Sequence, residues 1–180
     1  MISKLLSKAL LLLLMGMSWA QATTIDYTAT QIGGTRWRYD YTVHNDTLGS
    51  PLQEFTIYFN EALFANLSNE STQAGWDLLV IQPDAHIPAA GFFDGLAPGS
   101  GLAFGASADG FSVSFDFLGT GAPGRQWFGI YEPVTYGEIE RGMTGTAAVP
   151  LPGTLSLLVL GLAAGAVQRR RGGVQRGGVR

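Results

Sequence analysis

TRWRYDYTVHN, residues 35–45, alternates apolar and polar side chains with a period of two. Trp37, Tyr39, Tyr41 and Val43 share one side, and Arg36, Arg38, Asp40, Thr42 and His44 share the other. Successive residues of a strand point to opposite faces, so this pattern predicts an antiparallel strand buried on one side and wet on the other. The same period recurs at 52–60, with Phe55, Ile57 and Phe59 inward and Glu54, Thr56 and Tyr58 outward. It recurs at 111–118, where Phe111, Val113, Phe115 and Phe117 alternate with Ser112, Ser114 and Asp116. Outward from these three lie further strand candidates at 25–32, 102–105, 126–132 and 135–141. The run Trp76 to Ile81 is compactly apolar but for Asp77, the pattern of a strand covered on both sides.

Turn residues separate these runs: Asn45-Asp46, Gly49-Ser50-Pro51, the two prolines of 82–91, Asp94-Gly95, Asp109-Gly110 and the glycines of 119–124. Asn60 is placed to cap one helical turn, since Leu63, Phe64 and Leu67 follow at helical spacing, and 66–75 reads as a polar loop. Seven to nine short strands with so little helix predict an antiparallel β-sandwich over residues 23–141, immunoglobulin-like or jelly-roll-like.

The two ends differ in kind from this body. Lys4 and Lys8 precede a leucine-rich run, and Ala20 and Ala22 supply small residues at the −3 and −1 positions of a signal-peptidase site. Residues 1–22 therefore read as a secretory signal peptide. At the other end, 142–148 reads as a linker, followed by a Val149-Pro150-Leu151-Pro152 elbow. An uncharged run from Leu155 to Val167 comes next, then Arg169, Arg170 and Arg171, and a basic glycine-arginine tail at 172–180. With Leu151 included, the run just reaches the lower length limit for crossing a bilayer about 30 Å thick. Arginines at one end only orient it with that end in the cytoplasm and the sandwich outside. Pro150 and Pro152 keep the elbow extended, the form a protease cleft accepts.

With the ends removed, the body keeps all 14 acidic residues of the chain and only four arginines (Arg36, Arg38, Arg125, Arg141), a net charge of −10 against −3 for the whole sequence. Such a domain is unsuited to nucleic acid or anionic lipid. The chain has no cysteine, which excludes disulfides, thiolate metal sites and a cysteine nucleophile.

The order of elbow, span and arginine cluster in residues 149–171 resembles the PEP-CTERM sorting signal of Gram-negative bacteria. Val149, Pro150, Pro152, the span and the arginines match; Leu151 stands where that family usually carries glutamate, and the tail after Arg171 is longer than usual. The resemblance implies transient insertion in the inner membrane, cleavage at the motif by exosortase, release to the cell surface or beyond, and association with exopolysaccharide and biofilm. The WRYDYTVHN, EFTIYF, GWDLLVIQP and GFSVSFDF segments are similar to the body of some short members of the group, for which the resemblance implies no activity.

Candidate chemistry in the body is sparse. Asp84, His86 and Asp94 sketch a metal site, but short of the three or four convergent ligands one needs, and no metal or other cofactor is expected. No Gly-x-Ser-x-Gly elbow is present. Glu138 and Glu140, two apart on a strand candidate, share a face and offer a carboxylate pair for glycoside hydrolysis. The glycines at 99, 101 and 105 have no following helix and serve turns rather than phosphate. Sequons begin at Asn45, Asn66 and Asn69.

Trp127 and Tyr131 would face outward on a flat strand with Gly129 between them, roughly 13 Å apart. Either a loop or neighbouring strand covers them, or their rings are free to stack on sugar. A non-catalytic exported surface or matrix protein is thus expected, with signal peptidase as a partner and, as the resemblance implies, exosortase and exopolysaccharide. A carbohydrate-binding module using Trp127 and Tyr131 is the alternative, and a secreted hydrolase a third.

Overall fold

The computed structural model describes residues 23–147. The signal-peptide site at Ala20 and Ala22, the Val149–Pro152 motif, the span and the arginine cluster lie outside the described residues.

Ten strands form two sheets and no helix occurs among the described residues. The first sheet is ordered β10-β1-β2-β7-β4, from β1 (Thr24–Gly33), β2 (Arg36–His44), β4 (Phe64–Asn69), β7 (Ser107–Phe117) and β10 (Gly145–Thr146). The second is ordered β5-β6-β3-β8-β9, from β3 (Glu54–Phe59), β5 (Asp77–Ile81), β6 (Gly91–Leu96), β8 (Trp127–Glu132) and β9 (Gly137–Met143). Every pairing is antiparallel except β1 with β10. Only the β1–β2, β5–β6 and β8–β9 connections stay within a sheet. All others cross to the opposite sheet, so the two sheets form a β-sandwich.

The alternating runs supply the core. Tyr39, Tyr41 and Val43 of β2, and Phe111, Val113 and Phe115 of β7, face Phe55, Ile57 and Phe59 of β3, Phe93 of β6 and Ile130 of β8. Phe55 stands at its centre, with ring centroids 5.1 Å from Phe111, 5.6 Å from Trp76 and 5.9 Å from Phe93. Each such tilted or edge-on pair contributes about 0.5–1.5 kcal/mol beyond its buried area. Trp37, placed on the inward side of β2, is only partly buried against this core.

Two tyrosine hydroxyls enter the core and are matched there. The Tyr39 hydroxyl donates to the Gly124 carbonyl at 2.7 Å and accepts from Gln126 Nε2 at 2.9 Å. The Tyr41 hydroxyl donates to Gln126 Oε1 at 3.4 Å. Gln126 also donates to the Gly124 carbonyl, and its backbone pairs with Thr144. One buried side chain therefore ties β2 of the first sheet to the chain segment leading into β8.

Several local expectations are corrected. Asn60 does cap a turn, its Oδ1 accepting from the Ala62 amide at 2.9 Å, but the chain then enters β4 rather than a helix. Strand pairing to β7 overrides the helical spacing of Leu63, Phe64 and Leu67, and it carries 66–69 out of the expected loop. The run at 76–81 forms β5, an edge strand covered on one side only, with Leu79 and Ile81 outward. Asp94-Gly95 is no turn but the middle of β6, paired on both sides, and the glycine makes room for the Phe55 ring, 2.6 Å from where a Cβ would stand. Asp109-Gly110 lies within β7, where φ of +84° at Gly110 accommodates a bulge opposite Tyr41–Val43. The 102–105 strand shrinks to a single bridge between Leu102 and Leu52. The expected linker is largely strand: β9 runs to Met143, and β10 pairs Gly145 and Thr146 with Asp26 and Tyr27.

Candidate functional site

The two outward faces of the sandwich differ in chemistry. On the first sheet, the outer side chains of β2 and β7 engage one another. Arg38 Nε lies 3.0 Å from Asp40, and the Ser112 hydroxyl donates to the same carboxylate at 2.6 Å. Arg36 reaches Asp116 at 3.5 Å and donates to Ser114 Oγ at 2.7 Å, while His44 lies 3.6 Å from Asp26. That face is a ladder of hydroxyls and matched charges.

The outer face of the second sheet carries rings. Register aligns its outward residues in rows across the strands. The first row runs Ile81, Phe92, Tyr58 and, one step beyond the β3–β8 ladder, Trp127. The second runs Leu79, Asp94, Thr56, Gly129, Arg141, and the third Asp77, Leu96, Glu54, Tyr131, Glu138.

Trp127 is 57% exposed. With Tyr58, Ala90, Phe128 and Arg141 it lines a hollow of about 300 Å³. Tyr131 is half-buried, because its ring folds back along the strand over Gly129 rather than standing away from the sheet. A Cβ at Gly129 would lie 2.7 Å from the ring edge and from the hydroxyl. The Tyr131 hydroxyl lies 2.7 Å from the Tyr58 hydroxyl and donates to Glu138 Oε2 at 3.3 Å. A carboxylate only accepts, so Tyr58 is the donor to Tyr131. Arg141 donates to the same Glu138 oxygen at 2.7 Å. Burial, then the Tyr58 hydroxyl and the Glu138 charge, push the Tyr131 phenol up, so it stays protonated. The two aromatics thus stand closer in function than their backbone spacing implies, with Tyr58 joining them.

A second depression, about 390 Å³, adjoins the first and is bounded by Glu54, Thr56, Tyr58, Leu79, Phe92, Asp94, Tyr131 and Tyr136. Thr56 Oγ1 donates to Asp94 Oδ1 at 2.6 Å. Burial holds the Asp94 carboxyl above its ordinary range, with the Thr56 hydrogen bond opposing. Glu54 is also raised, by burial and then by the charges of Asp94 and Glu132. Tyr136 projects from the β8–β9 turn at 77% exposure with a φ of +54°. Glu132 builds that turn, its carboxylate accepting from the Val134 and Thr135 amides at 3.2 and 2.6 Å. A bulky residue in the left-handed region is strained, a feature that concentrates at ligand sites.

Other candidates do not converge. Glu138 and Glu140 are parted by a bulge in the β8–β9 register: Glu138 pairs with outward Tyr131, and Glu140 pairs with inward Ile130. Their partners are correspondingly different, Arg141 for one and Thr47 for the other. The expected shared face is therefore lost. His86 is fully solvated and meets only Asp84, at 3.4 Å, while Asp94 belongs to the depression. Among the described residues no group of three possible ligands is placed to hold a metal. Asn45 is fully buried, so its sequon is closed in the folded domain, whereas Asn66 and Asn69 are exposed.

Phe92, Leu79 and Tyr136 escaped sequence reasoning, and Asp94 entered it only as a metal-ligand candidate. Phe92 and Asp94 sat in a stretch read as a turn, Leu79 in a strand read as doubly covered, and Tyr136 in a hairpin whose backbone strain no pattern announces.

No protein-family model matches the sequence, and no curated protein is significantly similar to it. Among solved structures, a cohesin module from a family 33 glycoside hydrolase of Clostridium perfringens is 10% identical, covering 69% of this chain and 98% of that one with a TM-score of 0.39. The chitin-binding domain of Chi18aC from Streptomyces coelicolor is 18% identical, covering 73% of this chain and 98% of that one with a TM-score of 0.36. Likeness at this level assigns the chain neither a family nor a ligand.

Proposed function

We propose that this chain is the precursor of an exported, non-catalytic surface or matrix protein that docks on polysaccharide through the outer face of its second sheet. The observation that carries the reading is the contrast between the two outer faces. One matches its own polar groups, and the other leaves Trp127 and Tyr136 open beside Tyr58 and Tyr131 on the same sheet face. Sugar rings present apolar C–H faces that stack on such platforms, with hydroxyls left to reach Thr56, Asp94 and Arg141 at the floor and rim. The separation of Glu138 from Glu140 supports binding over hydrolysis.

Affinity electrophoresis through gels cast with the host's own exopolysaccharide tests the binding. Wild type is retarded, and Trp127→Ala loses about 1 kcal/mol of stacking, some fivefold in affinity, with its melting temperature unchanged. Equal retardation of the two proteins removes Trp127 from the site, and no retardation of either removes the function.

The route outward is the exosortase pathway, a reading supported by the order of elbow, span and arginines in residues 149–171. Intact mass of the protein recovered from the medium checks it. The expected species lacks Arg169 to Arg180, and recovery of the full tail from the wild-type host would rule out processing. Leu151→Glu is expected to process at least as fast as wild type in the same assay.

A further inference from the structure

The depression between β5, β6, β3 and the β8–β9 turn holds two carboxylates and no cation. Glu54 and Asp94 are diagonal neighbours on β3 and β6, since Glu54 stands opposite Leu96 and Thr56 opposite Asp94. Among the described residues the ion pairs join Arg36 to Asp116, Arg38 to Asp40, His44 to Asp26, His86 to Asp84 and Arg141 to Glu138; none reaches Glu54 or Asp94. Around them stand the rings of Tyr58, Tyr131, Tyr136 and Phe92.

We propose that this depression is a subsite for a sugar with a free amino group, its ammonium drawn between Glu54 and Asp94 and its ring laid against Tyr136. The assignment rests on the polysaccharide-binding reading and narrows it. Carboxylates partly withdrawn from water and unmatched by protein cations are costly, and an arriving ammonium supplies the missing counter-charge. Burial raises both groups above their ordinary range, and the Asp94 charge raises Glu54 further. Aromatic rings offer an ammonium their negative faces as well. A polyuronic or otherwise anionic glycan meets the opposite field, from these two carboxylates and from a body with fourteen acidic residues against four arginines. A neutral sugar can stack there but leaves the repulsion between the two carboxylates in place.

The experiment is titration calorimetry of the exported domain with three length-matched oligosaccharides: a glucosamine oligomer, its N-acetylated form and a uronic acid oligomer. Expected is a preference of about tenfold or more for the free amine over the acetylated form, shrinking as salt screens the attraction. Asp94→Asn and Glu54→Gln should each erode that preference, and cooperative thermal unfolding of both variants shows that they are folded. Equal affinity for the amine and the acetylated form overturns the amino-sugar assignment and leaves the polysaccharide reading standing. Tighter binding of the uronic acid oligomer overturns it too. Binding of an oligolysine peptide as tight as that of the glucosamine oligomer would replace the sugar with a basic protein partner. Failure of all three oligosaccharides, together with no retardation by host polysaccharide, removes both readings.

Discussion

Adding one methyl group at Gly129 separates the shape of the aromatic platform from the stability of the fold. A Cβ there would stand 2.7 Å from Tyr131 Cε2 and 2.9 Å from Cζ. Carbon atoms in contact sit at about 3.5 Å or more, so in Gly129→Ala the ring must withdraw by roughly 0.8 Å. The hydroxyl contact to Tyr58, 2.7 Å in the native protein, then stretches to about 3.5 Å and no longer counts as a hydrogen bond. Losing it costs about 0.5–1.5 kcal/mol, and the stiffer unfolded chain of the alanine variant returns about 0.4–1 kcal/mol. The atoms that clash are the far end of a half-buried side chain, so the ring swings aside without disturbing the core. Net stability should stay within about 1 kcal/mol of wild type, a melting shift of roughly 4 °C or less. Affinity for polysaccharide should fall threefold to tenfold, because the displaced ring is shared wall and platform. Gel retardation and thermal unfolding measure the two quantities side by side. In a Tyr131→Ala background the methyl group has nothing to displace, and Gly129→Ala should then be silent in binding. A persisting loss in that background, or a melting drop beyond about 10 °C in the single variant, would refute the argument.

Asp94 is held above its ordinary range, so the folded state binds its proton more tightly than the unfolded chain. Its ionised form therefore costs stability at neutral pH, and that cost disappears below about pH 3, where both states are protonated. Asp94→Asn should melt higher than wild type at pH 7 and equally at pH 3; a lower melting point at pH 7 contradicts the assigned burial cost. Tyr136→Gly relieves a left-handed residue and should gain about 0.5–1 kcal/mol in urea unfolding while weakening polysaccharide retention. Gln126→Ala strands the buried Tyr41 hydroxyl and removes a donor from Tyr39, for a loss of about 2–4 kcal/mol in the same assay. A loss under 1 kcal/mol would mean that water replaces the amide.

The inward faces of β2, β3 and β7 were legible because alternation is a local property: Tyr39, Phe55 and Phe115 announce their burial from their immediate neighbours. Even the outward direction of Glu54, Thr56 and Tyr58 could be read that way. What alternation does not carry is adjacency. That β3 lies between β6 and β8, and so brings Tyr58 to Tyr131 and Thr56 to Asp94, depends on crossovers spanning dozens of residues. Gly95 misled for a related reason: its neighbours suggest a turn, but its partner is the Phe55 ring, forty positions away. Gly129 was read as a spacer between two rings, whereas the absence of its side chain lets one ring lie down. The bulge that parts Glu138 from Glu140 is likewise invisible to a period-two reading.

The pairing of β1 with β10 has a consequence for timing. Asp26 and Gly145 are 119 positions apart, and among the described strand pairings none closes a longer loop. Loop closure of that length is entropically late, so the part of β1 that meets β10 stays unpaired until the last strand forms. An open edge is a template for strands of other copies. Truncation just before residue 145 would make that exposure permanent and favour aggregation, even though β10 itself adds only two residue pairs to the finished sheet.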